Sequence, residues 1–266
     1  MNMQPFTPEG WDYEPKKITK DTIYKFINTE EVLQGFVNSC DEEFNLHINL
    51  GDEIQGIIPR GEIEEINAGD NGLPRKSICM GKVNKFVQFK VKKLEKNIAI
   101  LSRKDVQKDA LNWVKNDLQV GQRIKGIVKN IRPYGVFIEI GGGIVGLAHI
   151  EDLSVARIKS PAERVKIGQK IEVIVKDINK DEGNVILSYK EILGTWEENA
   201  QKFQEGTKVT GIVRETEKNK NGIFIELAPN LVGMSEYMEN LHYGQNVNVY
   251  IKKIIPEKKK IKLVVV

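Results

Sequence analysis

The fold is decided by residues 126–140, which read GIVKNIRPYGVFIEI. In the second half of this stretch the apolar residues Val136, Ile138 and Ile140 occupy every second position. Such alternation of β-branched residues predicts a strand with one buried face. Residues 171–176 alternate in the same way, and about five runs of this kind, separated by glycine-rich turns, fall within roughly 70 residues. Closure into a small barrel is how so short a set of strands protects its edges.

The chain repeats this unit on either side. The motif Leu-Ser-x-Lys ends at Lys104 and recurs ending at Lys190, and each copy precedes a stretch with helical spacing and one tryptophan. A glycine and a new strand pattern follow each stretch, so that Gly35, Gly126 and Gly211 mark equivalent positions in three units. Repetition of the same pattern at the spacing of these glycines indicates tandem domains. We therefore predict a mostly β protein of three tandem five-stranded barrels joined by short helical linkers. The predicted parts are an N-terminal extension at 1–30, barrels at 31–102, 120–189 and 205–266, and helical linkers at 103–119 and 190–204.

The N-terminal extension does not follow the repeat. Pro5, Pro8 and Pro15 interrupt it, and Lys16, Lys17 and Lys20 make it basic. We expect it to be only partly ordered and to lack regular elements, because proline breaks helices and strands. The tryptophans Trp113 and Trp196 in the linkers are expected to plug barrel ends rather than to form a binding stripe.

Composition excludes several classes of protein. The chain has 266 residues, of which 40% are hydrophobic and 29% charged, and its net charge is +3. No segment approaches the roughly 18 apolar residues of a membrane span, and the N-terminus lacks a secretory signal, so we expect a cytoplasmic protein without membrane partners. Cys40 and Cys79 have no Cys or His neighbours at metal-site spacing, which favours two buried thiols.

The sequence gives no indication of an enzyme. Carboxylate pairs occur at 64–65, 151–152 and 181–182, and because the two members of each pair are adjacent, their side chains on a strand would face opposite sides. The glycines of 141–143 form a turn without a following Lys-Ser or Lys-Thr, so they do not make a phosphate-binding loop. We expect no catalysis, no cofactor and no metal.

Four stretches of the middle unit resemble, in the same order, the RNA-binding repeat of bacterial ribosomal protein S1. These are residues 126–138, VGLAHI at 145–150, VKIGQ at 165–169 and LSYK at 187–190. The third unit is similar in its strands, and the first is similar at 56–59 and from 89 to 104, so the resemblance covers roughly residues 31–266. It implies that each unit is an oligonucleotide-binding (OB) barrel and that the chain binds single-stranded RNA.

Within the middle unit, Phe137 points away from the buried alternating set, and Tyr134 precedes it by three residues. Exposed rings beside basic side chains are what single-stranded RNA needs, because bases stack on rings while cations hold phosphates. The resemblance places stacking aromatics at Tyr134 and Phe137 and an exposed histidine at His149. Candidate phosphate ligands are Lys129 and Arg132 at the end of the first strand, and Arg157 in the loop after the third strand.

The other candidate positions depart from the family pattern. Near the last hairpin of the middle unit, Asn179 and Asn184 stand where the family often has an acidic and a basic residue, and we expect Lys180 to replace the basic one. In the third unit we expect contributions from Phe224 at the second aromatic position and from Lys260 at the basic position. There Asn221 replaces the first aromatic residue and Glu236 the histidine. In the first unit only Phe44 and His47 occupy ring positions.

Charge separates the units further. Residues 31–102 carry 9 basic and 11 acidic side chains, a net charge of −2. Residues 121–190 carry 12 basic and 8 acidic side chains, a net charge of +4. Residues 205–266 carry 10 basic and 7 acidic side chains, a net charge of +3. We therefore expect the middle unit to bind RNA and the acidic first barrel to dock on protein. The family resemblance implies that this partner is the small ribosomal subunit.

The sequence leaves three functions open. The first is binding of messenger RNA in translation at the small ribosomal subunit. The second is regulation of transcription or RNA stability away from the ribosome. The third is a protein-interaction scaffold whose barrels hold no RNA.

Overall fold

The computed structural model describes residues 4–14, 16, 18–51, 54–65, 72–216 and 222–266, which form three closed five-stranded barrels. The predicted mostly β fold of tandem barrels joined by helical linkers is therefore confirmed. The chain divides into two compact units, and the middle barrel contributes strands to both. The first unit comprises Met1–Ile127, Ile138–Gly146 and Asp177–Val185, and the second comprises Val128–Phe137, Leu147–Lys176 and Ile186–Val266.

The first barrel has the strand order β1-β2-β3-β5-β4, in which β3 and β5 run parallel and the other neighbours antiparallel. Fully buried Phe89, Leu46, Ile48 and Leu101 fill its centre. Its elements are α1 (Lys20–Thr29), β1 (Leu33–Cys40), β2 (Leu46–Asn49), β3 (Gln55–Ile58), α2 (Lys76–Met80), β4 (Phe86–Glu95) and β5 (Ile98–Ser102).

The N-terminal extension is more regular than its prolines predict. Helix α1 begins after Thr19, which forms a reciprocal capping box with Thr22, and it buries Ile23 and Phe26 in the core of the first barrel. The expectation of an extension without regular elements was wrong because the helix begins beyond the last proline and has its own cap and apolar face. Pro15 and Lys17 lie outside the described residues.

Residues before α1 are held by a buried ion-pair cluster. Both carboxylate oxygens of Glu9 accept hydrogen bonds from Arg103, the shorter at 2.7 Å from Nε, and Glu9 Oε1 also accepts from the Gln88 amide at 3.1 Å. Arg103 donates from its other side to Glu64 at 2.7 Å. Burial by itself lowers the pKa of Arg103, but Glu9 and Glu64 outweigh it and hold the pKa above its usual range. The N-terminal segment is thereby fixed in the first unit.

The middle and third barrels have the same strand connectivity as the first. Their strand orders are β10-β8-β7-β6-β9 and β11-β12-β13-β15-β14. The middle barrel is formed by β6 (Arg123–Arg132), β7 (Gly135–Gly141), β8 (Ile144–His149), β9 (Lys170–Asn179) and β10 (Asn184–Ser188). The third is formed by β11 (Lys208–Thr216), β12 (Ile223–Ala228), β13 (Leu231–Ser235), β14 (Asn246–Ile255) and β15 (Lys260–Val265).

The two linkers differ in helical content. Helix α3 (Arg103–Asn116) is four turns long and buries Val106, Ala110 and Val114, which the sequence places four residues apart. In the second linker the helical spacing overestimates the helix, because only a short 3₁₀ turn and α4 (Trp196–Ala200) form. Trp113 is buried and Trp196 packs against the core of the third barrel, so neither forms a binding stripe. Among the helices of the described residues, none is long and apolar enough to cross a membrane.

Candidate nucleic-acid interface

Two aromatic rings lie on the outside of the middle barrel where β7 begins. The ring centroids of Tyr134 and Phe137 are 6.2 Å apart and their planes meet at 84°, an edge-to-face pair. Half of Tyr134 is exposed, whereas Val136 and Ile138 are fully buried. Phe137 is partly exposed between these two core residues, as the alternation predicts. The two ring planes therefore lie nearly at right angles to each other, and both rings are at least partly exposed.

The backbone of His149, at the end of β8, lies beside the start of β7, the strand that carries Phe137. A Cβ added at Gly135 would be 3.1 Å from the Cα of His149 and 2.5 Å from the carbonyl oxygen of Ala148, so the two backbones approach closely there. The amide of Ile150 donates to the carbonyl oxygen of Tyr134 at 2.9 Å, which holds the end of β8 against the start of β7. The His149 side chain is 47% exposed. We call Tyr134, Phe137 and His149 the ring trio.

The predicted cations have different surroundings. Lys129 and Arg132 are exposed on β6, the strand that leads into Tyr134. Arg157 is also exposed, but its guanidinium pairs with Glu215 of β11, so part of its charge is already neutralised. Lys180 is exposed in the turn between β9 and β10, which belongs to the other compact unit from the ring trio.

The asparagines near the last hairpin shape its turn. Oδ1 of Asn179 accepts hydrogen bonds from the amides of Asp181 at 3.1 Å and Glu182 at 3.2 Å. The side-chain amide of Asn184 donates to the Glu182 carboxylate at 2.5 Å. Both residues therefore have local structural partners.

Apolar side chains extend the outer surface beyond the rings. Leu147 on β8 pairs with Ile186 on β10, and both are partly exposed while their neighbours Ala148 and Leu187 are buried. Sequence reasoning did not single them out. Their outward positions in the two alternating strands were the available signal.

The buried carboxylate of Asp152, three residues after His149, forms ion pairs with two lysines. Asp152 accepts hydrogen bonds from Lys176 of β9 at 2.8 Å and from Lys190 at 3.2 Å, and its side chain is only 5% exposed. Burial by itself raises the pKa of Asp152, but the hydrogen bonds and charges of the two lysines outweigh it and lower the pKa below its usual value. Because the cluster joins residues far apart in sequence, no motif predicted it.

Comparison with known proteins identifies the repeat. The family model described as S1 RNA binding domain matches residues 117–190. The small ribosomal subunit protein bS1 of Staphylococcus aureus (strain MRSA252) is 34% identical over 97% of this chain and 64% of that protein. The bS1 of Rhizobium meliloti (strain 1021) is 28% identical over 84% of this chain and 44% of that protein.

The middle barrel is thus similar to the S1 RNA binding domain, and nearly the whole chain is similar to bacterial small ribosomal subunit protein bS1. The chain spans less than two thirds of the length of these curated S1 relatives. Among solved structures, it matches GSP13 from Bacillus subtilis at 25% identity over 29% of this chain and 58% of that chain, with a TM-score of 0.28.

In the first barrel, the two residues at the ring positions already have partners within the barrel. Its ring-position residue Phe44 is covered by two cations, with Lys76 4.8 Å and Arg60 5.3 Å from the ring centroid. His47 is fixed by Asp41 at 3.0 Å on Nε2 and by Gln55 at 3.2 Å on Nδ1. Asp52 and Glu53, two of the acidic residues counted for this barrel, lie outside the described residues.

The third barrel keeps a ring at one of the two aromatic positions. Phe224 on β12 is partly exposed and pairs with exposed Met234 on β13. Glu236 is exposed just after β13, and Lys260 is exposed at the start of β15. Asn221, predicted to replace the first aromatic residue, lies outside the described residues. Within the described part of the chain, no three His, Cys, Asp or Glu side chains group as metal ligands.

Proposed function

We propose that this chain binds single-stranded RNA, including messenger RNA, through the ring trio of the middle barrel. The observation that carries the proposal is the convergence of Tyr134, Phe137 and His149 at one exposed end of β7 and β8. Each base that stacks on such a ring contributes about 1–3 kcal/mol to binding. The basic side chains of β6 supply phosphate contacts, and the net charge of this unit, +4, favours the RNA backbone.

Stacking accepts every base, because every base has a flat face. The trio therefore favours single strands over duplexes without strict sequence preference. The role is binding without catalysis, which agrees with relatives named as ribosomal proteins.

For the partner, we propose the small ribosomal subunit in the cytoplasm, with the first barrel as the docking domain. Support comes from the names of the bS1 relatives and from the contrast between barrels. In the first barrel Phe44 is covered by Arg60 and Lys76, and the net charge is −2. A surface of this kind suits protein contacts better than an RNA backbone.

The test is a fluorescence anisotropy titration of the full chain with single-stranded RNA. Phe137→Ala is expected to weaken binding roughly five- to a hundredfold, the effect of losing about 1–3 kcal/mol of stacking. Tyr24→Ala is the matched control, because Tyr24 is an exposed ring on α1, which does not belong to the compact unit that holds the trio. Equal affinities for wild type and folded Phe137→Ala would overturn the site assignment.

Co-sedimentation with small ribosomal subunits, together with RNA binding, distinguishes the three candidate functions. Binding to purified small ribosomal subunits supports the translational role. RNA binding without it supports regulation away from the ribosome. Protein binding without RNA binding supports the scaffold.

A further inference from the structure

Strand β4 of the first barrel holds helix α3 against its outer face through two ion pairs. Nζ of Lys90 lies 2.6 Å from the Asp109 carboxylate, and Nζ of Lys92 lies 2.5 Å from that of Asp105. Ser102, which pairs with Lys90 across β4 and β5, is fully buried where the helix begins. In this barrel the outer face of β4 is therefore a surface on which a helix docks.

The spacing of these ion pairs follows from the geometry of the two elements. Residues four apart on a helix lie about 6 Å apart along its axis. Residues two apart on a strand lie about 6.6 Å apart. Asp105 and Asp109 are four apart on α3, and Lys92 and Lys90 are two apart on β4. A helix that lies along the strand therefore meets successive outward side chains with side chains four residues apart.

Strand β14 of the third barrel has the register of β4 but an exposed outer face. Lys90 pairs with Ser102 close to an irregularity in the pairing of β4 with β5. Tyr250 pairs with Val264 at the same place relative to an irregularity in the pairing of β14 with β15. Tyr250 is 37% exposed and Val264 41% exposed, whereas Ser102 is fully buried. The face that α3 covers in the first barrel is thus exposed in the third, as far as its described residues show.

A lysine two residues further along is common to all three barrels. Lys92, Lys176 and Lys252 are each the seventh residue of a ten-residue strand. Lys92 pairs with Asp105, and Lys176 pairs with Asp152. Lys252 is exposed, and in the part of the chain that the structure describes no carboxylate forms an ion pair with it. Its ammonium group is therefore available to a carboxylate from outside the chain.

A second cation borders the two apolar side chains. Lys208 of β11 pairs with Tyr250, so that Lys208, Tyr250 and Val264 lie side by side on three neighbouring strands. Lys208 is exposed and also lacks an ion pair with any described carboxylate. Glu205, just before β11, accepts a hydrogen bond from a backbone amide at 2.6 Å. We call Lys208, Tyr250, Val264 and Lys252 the β14 row.

We propose that the β14 row docks an amphipathic, acidic helix of a partner protein, in the way that β4 docks α3. The partner helix places a carboxylate on Lys252 and, four residues later, an apolar side chain on Tyr250 and Val264. A further carboxylate on its flank pairs with Lys208. The two exposed lysines determine that the partner is acidic, and the strand spacing determines where its apolar side chains stand.

A nucleic-acid strand would match the two cations of the row, but a helix matches its other features better. The row has one ring beside an aliphatic side chain, Val264, whereas single strands are bound by successive rings. The equivalent face of the first barrel binds a helix through carboxylates. The docking surface is also independent of the ring trio and needs no RNA.

The test measures binding of a fluorescein-labelled helical peptide to the full chain by fluorescence anisotropy. The peptide has the α3 sequence, residues 103–116, with Asp109→Leu to match the apolar Tyr250. A hydrocarbon staple between its exposed positions 108 and 112 keeps it helical, because so short a helix is marginal in water. Tyr250→Ala is expected to weaken binding about tenfold, since central aromatic residues dominate such interfaces. Lys252→Glu is expected to weaken it about threefold or more.

Lys253→Glu is the matched control, because it makes the same charge change one residue further along β14. Its equivalent in the first barrel, Lys93, pairs with Glu95 of its own strand. Affinity for the peptide is therefore expected to equal that of wild type. Exchange of charges gives a sharper result: a peptide that also carries Asp105→Lys is expected to bind Lys252→Glu more tightly than wild type, about threefold or more.

Equal affinities of the peptide for wild type, Tyr250→Ala and Lys252→Glu overturn the proposal, as does absence of binding to wild type at the highest soluble peptide concentration. If Tyr250→Ala weakens binding of single-stranded RNA but not of the peptide, the row belongs to RNA and the proposal fails. If light scattering shows a dimer that Tyr250→Ala dissociates, the occupant is a second copy and the proposal fails as well. Circular dichroism checks that each variant is folded.

Discussion

Gly135 and His149 lie back to back across β7 and β8, so closely that a Cβ on Gly135 would be 3.1 Å from the Cα of His149. The absence of a side chain at Gly135 lets the start of β7 approach the end of β8. That approach brings the backbone of His149 close to Tyr134, whose carbonyl oxygen accepts a hydrogen bond from the Ile150 amide. The placement of the ring trio therefore depends on a residue without a side chain.

Gly135→Ala is expected to separate the two strands, because the new Cβ would lie 2.5 Å from the Ala148 carbonyl oxygen. Overpacking of this kind costs about 1–3 kcal/mol, which urea unfolding measures. RNA affinity is expected to fall as well. Gly61→Ala is the control, because its nearest neighbour would be 3.6 Å away. Equal loss of stability in the two variants would show that the close approach has no special role.

Asp152→Asn is expected to destabilise the protein in a pH-dependent way. The pKa of Asp152 is lowered in the folded state, so wild type gains stability from its carboxylate above the unfolded pKa of about 3.9 and loses it as pH falls through the folded value. The difference in unfolding free energy between wild type and variant should therefore be present at pH 7 and shrink below about pH 4. Thermal unfolding from pH 7 to pH 3 measures it, and a difference independent of pH would contradict the role of the two lysines.

Glu226→Gln is expected to leave Arg214 and Arg164 with a neutral partner. Both guanidinium groups are largely buried, and breaking a buried ion pair by removing one partner costs about 3–5 kcal/mol. Urea unfolding should show this loss, whereas Glu257→Gln at an exposed turn should change stability little. Stability equal to that of Glu257→Gln would mean that the network does not contribute.

The sequence predicted features that follow from local patterns. Alternation in β7 assigned Val136 and Ile138 to the core and Phe137 to the outside, and the structure places them so. Strand periodicity is a local property, and the family resemblance added the position of His149. The RNA-binding roles of these residues remain predictions.

Features that depend on strand register were not predictable. Met234 faces Lys262 only because β13 and β15 pair in one register, and Lys262 faces Lys253 only because β14 has an irregularity after Ile251. Asp152 likewise contacts Lys176 and Lys190, which are distant from it in sequence, only because the fold brings them together. The sequence did contain a signal for helix α1, namely the capping residue Thr19 and the apolar face of the helix. The prediction gave more weight to the nearby prolines.

The most direct test of the RNA-binding account compares single-stranded RNA with a duplex of equal length at several salt concentrations. Stacking on Tyr134 and Phe137 requires free base faces, which a duplex hides, and stacking does not depend on counterion release. The account predicts much tighter binding of the single strand, a preference that persists at raised salt. For a short RNA with about three phosphates neutralised by cations of the protein near the trio, the logarithm of the binding constant should fall with the logarithm of salt concentration with a slope near −2. A steep slope with equal affinity for both forms would contradict it.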